Sequence, residues 1–236
     1  MKRIPSRELL DDDAGTPAEV ARTLADLRLL NRYFGGVATT AYMVERIAQA
    51  SQKTDFTLLE VGAGSGDAAE SVRNRMEKKG IVLKLTLLDR CASHMAVGDG
   101  NGVKYVVADA LSLPFRDGSF DIVSCGLFVH HLIPEEVTVF ANEALRCARM
   151  AFIINDLVRH PVALATAYAG RLLYQSRMTC NDAPASVRQA YTTEEMRAML
   201  ARSSAGRVEI TRHYFYRMGA IFWKNEDGHG GARSNV

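Results

Sequence analysis

An acidic residue followed by three glycines at every second position is the pattern in this sequence that points most clearly to a chemical function. The residues are Glu60, Gly62, Gly64 and Gly66. The short apolar run 56–61 predicts a strand buried on both faces, and the helix-forming residues 68–79 predict a helix soon after the glycines. Glycine adopts backbone angles closed to other residues and lets a ligand approach the amides at the positive end of a helix. The pattern therefore predicts a site for an adenosine-type ligand.

The spacing of the glycines separates the possible cofactors. A dinucleotide fingerprint has its third glycine three residues after the second, and Asp67 occupies that position here. A phosphate-binding loop has a lysine directly after its last glycine, but Asp67 also follows Gly66. The spacing therefore disfavours both a pyrophosphate cradle and a nucleoside triphosphate loop.

A second acidic residue lies where the next strand is predicted to end. The apolar run 81–88 ends at Asp89, about 20 residues beyond the glycines, where a second strand presents a carboxylate to ribose hydroxyls. Asp89 and its neighbour Arg90 are therefore candidates for the ribose end of the site. The alternative is that Asp89 closes a turn or caps a short helix.

A pair of histidines follows the fourth apolar run, which covers residues 120–125. A histidine with a pKa near neutrality can remove the proton of a phenol or enol, so His131 and His130 are candidate general bases. The alternative is that one of them bonds to the backbone and orders the turn. His160 is a further candidate base. No acidic residue stands at ligand spacing along the chain from the pair, so no metal site is predicted.

Together these segments resemble the motifs of the class I S-adenosylmethionine (SAM) dependent methyltransferases. The segments are Glu60-x-Gly62-x-Gly64-x-Gly66, Asp109-Ala110 with Leu113-Pro114-Phe115, and Phe120-Asp121-Ile122-Val123. The resemblance covers roughly residues 55 to 157 and continues more weakly to Trp223. A histidine pair followed by a proline is common in the small-molecule members that resemble the ubiquinone and menaquinone biosynthesis enzymes.

The resemblance implies a cofactor role for most of these residues. The glycine loop would pack on the methionine part of SAM above Glu60, while Asp109 would contact the adenine amino group and Ala110 the ring plane. N-terminal helices close over the cofactor in related enzymes, so Arg32 is a candidate partner of the SAM carboxylate and Tyr33 a candidate cover. The alternative is a solvated Arg32 and a core Tyr33. The candidate cofactor residues are Glu60, Gly62, Ala63, Gly64, Gly66, Asp89, Arg90, Asp109, Ala110, Cys125, Arg32 and Tyr33.

Strands and helices alternate along the chain as a doubly wound sheet requires. The predicted fold class is α/β, a mostly parallel seven-stranded Rossmann-like methyltransferase sheet with a C-terminal antiparallel hairpin. Residues 1–50 are expected to form helices that cover the cofactor site, and 51–224 the SAM-binding domain. That domain is expected to carry a helical lid at about 158–190, and the tail 225–236 to be disordered. Asp121 starts its strand, away from the cofactor edge, which favours a structural role.

Composition excludes several classes of protein. The chain has 236 residues, 47% of them hydrophobic and 24% charged, as is typical of one globular domain. The net charge of +2 and the scattered basic residues disfavour a nucleic-acid partner. No apolar run is long enough for a membrane span. The four cysteines form no Cys-x-x-Cys pair, which indicates reduced thiols and a cytoplasmic protein.

These observations predict an enzyme that transfers a methyl group from SAM to an oxygen or carbon of a hydrophobic or aromatic small molecule, leaving S-adenosylhomocysteine (SAH). Phenols, quinones and polyketide-like molecules of secondary or quinone metabolism are the acceptors considered. Two alternatives are an NAD(P)-dependent oxidoreductase, which Asp67 disfavours, and a non-catalytic SAM-binding protein. A monomer and a homodimer are both compatible with the sequence.

Overall fold

A seven-stranded sheet forms the centre of the computed structural model, which describes residues 1–12, 14–94 and 102–224. The strands are β1 (Asp55–Val61), β2 (Val82–Asp89), β3 (Lys104–Val107), β4 (Phe120–Gly126), β5 (Ala148–Leu157), β6 (Arg207–His213) and β7 (Arg217–Trp223). Their order is β3-β2-β1-β4-β5-β7-β6. Strand β7 is antiparallel to both neighbours, and the other pairs are parallel. The predicted mostly parallel sheet with a C-terminal antiparallel hairpin is confirmed.

Helices cover both faces of this sheet. They are α1 (Pro17–Tyr33), α2 (Gly36–Ser51), α3 (Asp67–Glu77), α4 (Pro134–Cys147), α5 (Pro161–Ala169), α6 (Arg177–Gln189) and α7 (Thr193–Leu200). Helices α2 and α3 contribute to the hydrophobic core on one face, and α4 and α7 to the core on the other. The layers are those of a doubly wound fold.

Neighbouring residues along the central strands belong to opposite cores. Leu58 and Ile153 belong to the core beneath α2 and α3, whereas Leu59 and Phe152 belong to the core beneath α4 and α7. Successive side chains of a strand point to opposite faces, and both faces are buried here, so the central strands need apolar side chains on both faces. The continuous apolar runs of the sequence follow from this two-sided burial.

The strand order reverses between β1 and β4, which creates a crevice at the carboxyl ends of these strands. Helix α1 lies over this crevice and packs against α6. A capping box fixes the start of α1, because Thr16 Oγ1 accepts from the Glu19 amide while Glu19 Oε2 accepts from the Thr16 amide. Helix α1 and the region expected to form a lid therefore cover the crevice together.

Two helices occupy the predicted lid region. Helix α5 follows His160, as the apolar sequence indicates, and α6 forms although Pro184 lies inside it. Ser176 caps α6 by accepting a hydrogen bond from the Met178 amide, which compensates for the poor helix propensity of the segment. The region expected to form a helical lid therefore contains two helices.

The N-terminal segment, residues 1–12, forms none of the predicted helix. Instead it runs along α6 in an irregular conformation, and the Leu9 and Leu10 amides donate to the two Asp182 carboxylate oxygens at 3.0 and 3.1 Å. Residues 225–236, for which the sequence predicts disorder, lie outside the described residues. Among the helices that the structure describes, none is long and apolar enough to cross a membrane.

Asp121, at the start of β4, has the structural environment that the sequence favours. Its carboxylate accepts hydrogen bonds from the Thr57 amide and hydroxyl at 2.9 Å each, and from Lys53 and Arg149 at 3.0 and 3.2 Å. Burial opposes ionisation, but these donors hold the pKa of Asp121 well below its usual range. The carboxylate joins β1, β4 and β5 at the sheet edge opposite the crevice.

We expect Asp121→Asn to lower the free energy of unfolding at pH 7 by about 1–3 kcal/mol, because donors to a charged acceptor lose that acceptor. The pKa of Asp121 is depressed in the folded state, so its contribution is present above an unfolded pKa near 3.8 and is lost below it. Urea denaturation at pH 7 and pH 3 should therefore give a smaller difference between variant and wild type at pH 3.

Asp117→Asn is the matched control. The Asp117 side chain is 80% exposed and pairs with Arg146 at 3.0 Å, so its removal should cost less than about 1 kcal/mol. Equal decreases in the free energy of unfolding would show that the Asp121 hydrogen bonds between strands do not stabilise the sheet.

Candidate active site

A cavity of about 930 Å³ occupies the crevice at the carboxyl ends of the strands. Its walls come from the glycine loop after β1, the ends of β2 and β3, the histidine turn after β4, and helices α1, α5 and α6. The N-terminal segment closes one side through Glu8, Leu10 and Asp11. The cavity is large enough for a cofactor together with a small molecule, since ligand pockets typically span about 300–1,000 Å³.

The glycine loop has the backbone conformation that its sequence requires. Gly62, Gly64 and Gly66 have φ values of 68°, 53° and 81°, in the left-handed region that favours glycine. A Cβ at Gly62 would lie 2.8 Å from Phe128 Cδ2, and one at Gly66 would clash with Leu87 Cδ1. Both the backbone and its neighbours therefore exclude larger residues from this loop.

Glu60 lies beneath the glycine loop and is 8% exposed. Burial raises the pKa of Glu60 to about 7, although hydrogen bonds from the Ser124 hydroxyl and the Gly126 amide partly oppose this rise. Burial therefore favours the protonated form of Glu60 much more than water would. Glu60 can act there as a hydrogen-bond donor or acceptor toward a ligand in the cavity.

Asp89 joins the end of β2 to the glycine loop. Its Oδ2 accepts from the Gly64 amide at 2.8 Å, and its Oδ1 accepts from the Cys91 amide at 3.0 Å. The carboxylate also lines the cavity, so it both closes a turn, as the alternative interpretation holds, and faces the ligand space. Each oxygen retains a lone pair for a ligand hydroxyl.

Asp109 and Ala110 form the wall beyond β3. Asp109 is exposed, and its Oδ1 accepts from the Leu111 amide at 2.8 Å, while Ala110 is 8% exposed. Most of the candidate cofactor residues line this one cavity. They are Tyr33, Glu60, Gly62, Ala63, Gly64, Asp89, Arg90, Asp109 and Ala110.

Three candidate cofactor residues lie elsewhere. Gly66 is the N-terminal cap of α3, and Cys125 is 1% exposed inside the sheet, where burial raises the pKa of its thiol. Arg32 is exposed, with its guanidinium carbon 5.6 Å from the centre of the Tyr33 ring. These three side chains do not line the cavity, which argues against direct contact with a cofactor.

Arg28 lies one helical turn before Arg32 on α1. Its guanidinium pairs with Asp67 at 2.9 Å, beside the glycine loop, and it lines the cavity. Residues four apart share one face of a helix, so the two arginines differ in their position along α1 and not in the face that they occupy. The sequence does not show how far α1 extends past the glycine loop, which is why Arg32 is the sequence candidate and Arg28 is missed.

His130 is buried in the turn after β4. Its Nδ1 lies 2.6 Å from Asp156 Oδ1, its amide donates to Asp156 Oδ2 at 3.0 Å, and the side chain is 2% exposed. Burial alone would lower the pKa of His130, but the neighbouring carboxylates of Asp156 and Glu8 raise it. Both ring nitrogens already face carboxylates, Nδ1 facing Asp156 and Nε2 facing Glu8, so this geometry does not favour His130 as a general base.

His131 stands at the cavity wall with 19% of its side chain exposed. Its Nδ1 lies 2.6 Å from Asp11 Oδ2, and its Nε2 lies 4.0 Å from Glu8 Oε2. The Asp11 carboxylate orients the ring, so that Nε2 is the nitrogen available to other groups. Of the candidate bases, His131 is the one that this geometry favours.

His160 lies outside the cavity lining. Its Nδ1 accepts a hydrogen bond from the Val162 amide at 3.2 Å as the N-terminal cap of α5. Its ring stacks on Tyr216 with 4.4 Å between the centroids. These contacts assign His160 a structural role, which argues against the predicted alternative base.

Sequence reasoning missed several charged residues of the cavity. Arg217 is 2% exposed and donates to the Phe34 carbonyl, Asn155 Oδ1 and Asn31 Oδ1 at 3.1–3.3 Å. Burial lowers the pKa of Arg217 to about 10, with Asp156 opposing the shift. Glu8 and Asp11 reach the histidine turn from a segment more than 100 residues away. No local pattern marks such contacts, because they depend on how the finished elements pack.

Glu60→Gln tests the buried acid. The pKa of Glu60 is raised to about 7 when folded and is about 4.5 when unfolded, so the wild-type protein loses stability as pH rises between these values. Glutamine keeps an acceptor oxygen but does not ionise. Over this range we expect the wild-type free energy of unfolding to fall by roughly 2–3 kcal/mol relative to that of the variant, measured by urea denaturation.

Glu143→Gln is the comparison for this measurement. Glu143 pairs with Arg146 at 2.8 Å, which lowers the pKa of Glu143, so its contribution is lost only as pH falls below about 4.5. The difference in free energy of unfolding between Glu143→Gln and wild type should stay nearly constant between pH 4.5 and 7. Parallel stability curves for Glu60→Gln and wild type would contradict the raised pKa.

Comparison with known proteins agrees with this geometry. Residues 59–151 match the protein family described as methyltransferase domain. The ubiquinone/menaquinone biosynthesis C-methyltransferase UbiE of Laribacter hongkongensis (strain HLHK9) is 30% identical over 121 residues, which are 48% of this chain and 48% of that protein. The chain therefore matches about half the length of this curated relative.

Two solved structures share the fold. The plantazolicin methyltransferase BpumL, crystallised with a monoazolic desmethylPZN analog and SAH, aligns with a TM-score of 0.64 and 15% identity over 88% of this chain and 96% of that one. Human N-acetylserotonin methyltransferase in complex with SAM aligns with a TM-score of 0.65 and 12% identity over 94% and 60%. Residues 59–151 thus match a methyltransferase domain, and the chain has the Rossmann-like fold of these methyltransferase structures and resembles the ubiquinone and menaquinone biosynthesis methyltransferases.

Proposed function

We propose that this protein is a SAM-dependent methyltransferase that acts on an oxygen or carbon of a hydrophobic or aromatic small molecule. The observation that carries the proposal is the left-handed glycine loop, held by Asp89 at the wall of a cavity that also contains the histidine turn. SAM and SAH occupy the similar structures of N-acetylserotonin methyltransferase and BpumL. The glycine spacing, which disfavours a dinucleotide, supports the same cofactor.

The cofactor half of the cavity has partners for each part of SAM. The glycine loop packs against the methionine part, and Arg28 beside it neutralises the carboxylate. The free lone pairs of the Asp89 oxygens accept from the ribose hydroxyls. Asp109 and Ala110 hold the adenine at the far end.

The acceptor half is largely apolar. Its walls include Leu157, Ala163, Ala167, Leu173 and Tyr174. Such a lining favours a hydrophobic or aromatic acceptor, and the phenol, quinone and polyketide-like molecules considered above all fit that description. Buried Arg217 adds one cation to this half, which favours an acceptor with an acidic hydroxyl or another electron-rich oxygen.

Methyl transfer needs alignment more than covalent help from the protein. The sulfonium of SAM is already activated, so holding the nucleophile, methyl carbon and sulfur in line accounts for several kcal/mol of the rate enhancement. His131 at the cavity wall is the group placed to take up a proton where the acceptor must lose one. The enclosing helices α1, α5 and α6 exclude water from the reacting atoms.

Calorimetric titration with SAH, and with NAD in parallel, tests the cofactor assignment. Micromolar binding of SAH alone would support the methyltransferase, and binding of NAD alone would support the oxidoreductase alternative. SAH binding without turnover on a panel of phenols and quinones would favour a non-catalytic SAM-binding protein. The full chain serves for both titrations.

Substitutions of Asp89 test its proposed contact with the ribose hydroxyls and its support of the glycine loop. Asp89→Ala removes both the ribose acceptor and the support of the Gly64 amide, so we expect SAH affinity to fall by roughly 10-fold to 100-fold, on the order of 1–3 kcal/mol. Asp89→Asn keeps one acceptor oxygen and should lose less. Unchanged SAH affinity in Asp89→Ala, measured calorimetrically, would remove Asp89 from the cofactor site.

Substitution of Arg28 should act only on the amino-acid part of the cofactor. We expect Arg28→Ala to weaken SAH binding about tenfold, on the order of 1–2 kcal/mol, because a charge-assisted hydrogen bond to the carboxylate is lost. Binding of 5′-methylthioadenosine, which lacks that carboxylate, should not change.

Arg32→Ala is the matched control on the same helix, since Arg32 is exposed and does not line the cavity. Its affinities for both ligands should equal those of wild type. The reverse result, with SAH binding weakened only by Arg32→Ala, would restore Arg32 as the carboxylate partner.

A further inference from the structure

Three potential metal ligands converge at the side of the cavity closed by the N-terminal segment. They are Glu8, His130 and His131, and one ligand atom of each lies within 4.8 Å of the others. His130 Nε2 is 3.5 Å from Glu8 Oε1, and His131 Nε2 is 4.0 Å from Glu8 Oε2. Two donors about 2.1 Å from a tetrahedral cation lie roughly 3.4 Å apart, so these separations need only small adjustments.

Each of the three side chains is held from behind by another polar group. His130 Nδ1 contacts Asp156 Oδ1 and His131 Nδ1 contacts Asp11 Oδ2, at 2.6 Å in both cases. A carboxylate on the far nitrogen is the usual support of a metal-binding histidine, because it fixes the tautomer and the ring orientation. Both Nε2 atoms are consequently directed toward the Glu8 carboxylate.

Glu8 is supported in the same manner. Its Oε1 accepts from the Ser186 hydroxyl at 2.6 Å and from Gln189 Nε2 at 2.7 Å. Its Oε2 remains directed toward His131, and the side chain is 10% exposed. The helix α6 residues therefore fix the carboxylate against the histidine turn.

An unsatisfied polar atom lies at the centre of this cluster. His130 Nε2 is fully buried, and Glu8 Oε1, at 3.5 Å, is too distant for a well-formed hydrogen bond. A buried nitrogen without a close hydrogen-bond partner is costly, and it suggests that a group belongs between it and Glu8. The atom faces Glu8 rather than the apolar core.

We propose that Glu8, His130 and His131 form a binding site for a first-row divalent cation, with Zn²⁺ as the best match. Two imidazole nitrogens and one carboxylate are the ligand set of catalytic zinc sites, which keep a further position for water or substrate. All three residues line the cavity, so that position opens toward the acceptor. The absence of an acid at ligand spacing in the sequence does not count against the site, since Glu8 comes from a distant segment.

A cation here would serve the proposed methyl transfer, on which this part of the inference rests. With its Nε2 on the cation, His131 would be a ligand and not the proton acceptor. The cation would bind the acceptor oxygen and stabilise its deprotonated form, so that the hydroxyl proton would pass to water. The oxygen lone pair then forms the bond to the methyl carbon while the electron pair of the carbon–sulfur bond stays on sulfur. The products are the methyl ether and SAH.

The test is calorimetric titration of the chelator-treated full chain with ZnCl₂, together with metal analysis after dialysis. We expect one equivalent to bind to wild type. Glu8→Gln and His131→Gln should each weaken that binding by at least tenfold. His160→Gln is the matched control, because His160 caps α5 outside the cavity, and it should bind as wild type does.

One further variant tests a second cluster of potential ligands. Asp89, Cys91 and His94 also bring ligand atoms together, so Cys91→Ser should leave the Zn²⁺ affinity unchanged if the proposal holds. Binding that survives in both Glu8→Gln and His131→Gln, or that is lost in Cys91→Ser instead, would overturn it. A wild-type chain that takes up no Zn²⁺ would show that the cluster is an ion-pair network only.

Titration of the same proteins with SAH separates this inference from the proposed function. Glu8→Gln should retain wild-type SAH affinity, since Glu8 is far from the glycine loop in the chain and belongs to the histidine cluster. Zn²⁺ binding without SAH binding would leave the metal site intact and reject the methyltransferase. SAH binding without Zn²⁺ binding would reject the metal site and leave the methyltransferase proposal intact.

Discussion

The pairing of one buried carboxylate, Asp156, is the constraint on which the histidine side of the cavity depends. Asp156 is 1% exposed at the end of β5, and its oxygens accept from the His130 amide and the Leu157 amide and contact His130 Nδ1. Removing one partner from such a buried pair typically costs several kcal/mol, because a charge is left unsolvated. The position of the histidine turn is thereby tied to the sheet.

The neighbouring residue on β5 organises the opposite side. Asn155 Nδ2 donates to the Gly36 carbonyl at 2.7 Å and to Thr40 Oγ1 at 2.9 Å, while its Oδ1 accepts from Arg217. Because successive strand residues point to opposite faces, Asn155 binds α2 and β7 while Asp156 binds the histidine turn. Two adjacent polar residues thus join the cavity walls through one strand end.

The parts that could be predicted from the sequence are those that local patterns determine. Runs of apolar residues located the strands to within a few positions, and Gly62 and Gly64 located the loop, since their backbone angles allow little else. The ends of parallel strands share one edge, which placed Asp89 and Asp109 at the same cavity.

The parts that could not be predicted depend on packing between distant segments. Helix α6 contains Pro184, so its existence rests on contacts with α1, α5 and residues 1–12 rather than on propensity. The choice between Arg28 and Arg32 required the position of α1 along its axis relative to the glycine loop. The electrostatic environment of His130 depends on Asp156 and Glu8. Glu8 lies outside the segments in which sequence motifs were recognised.

The contacts of residues 1–12 also bear on the order of folding. The Arg3 guanidinium donates to the carbonyls of Gln189, His130 and Leu132, and the Arg159 guanidinium donates to the Met1 carbonyl. These partners are more than 100 positions apart, so closing such loops costs entropy that only a nearly finished fold can offset. The glycine loop is closed by the contact of Gly64 with Asp89, 25 positions away, whereas the side formed by Glu8 and Asp11 is closed only where residues 1–12 meet α6. The two sides of one cavity therefore differ in how much of the chain must be in place to complete them.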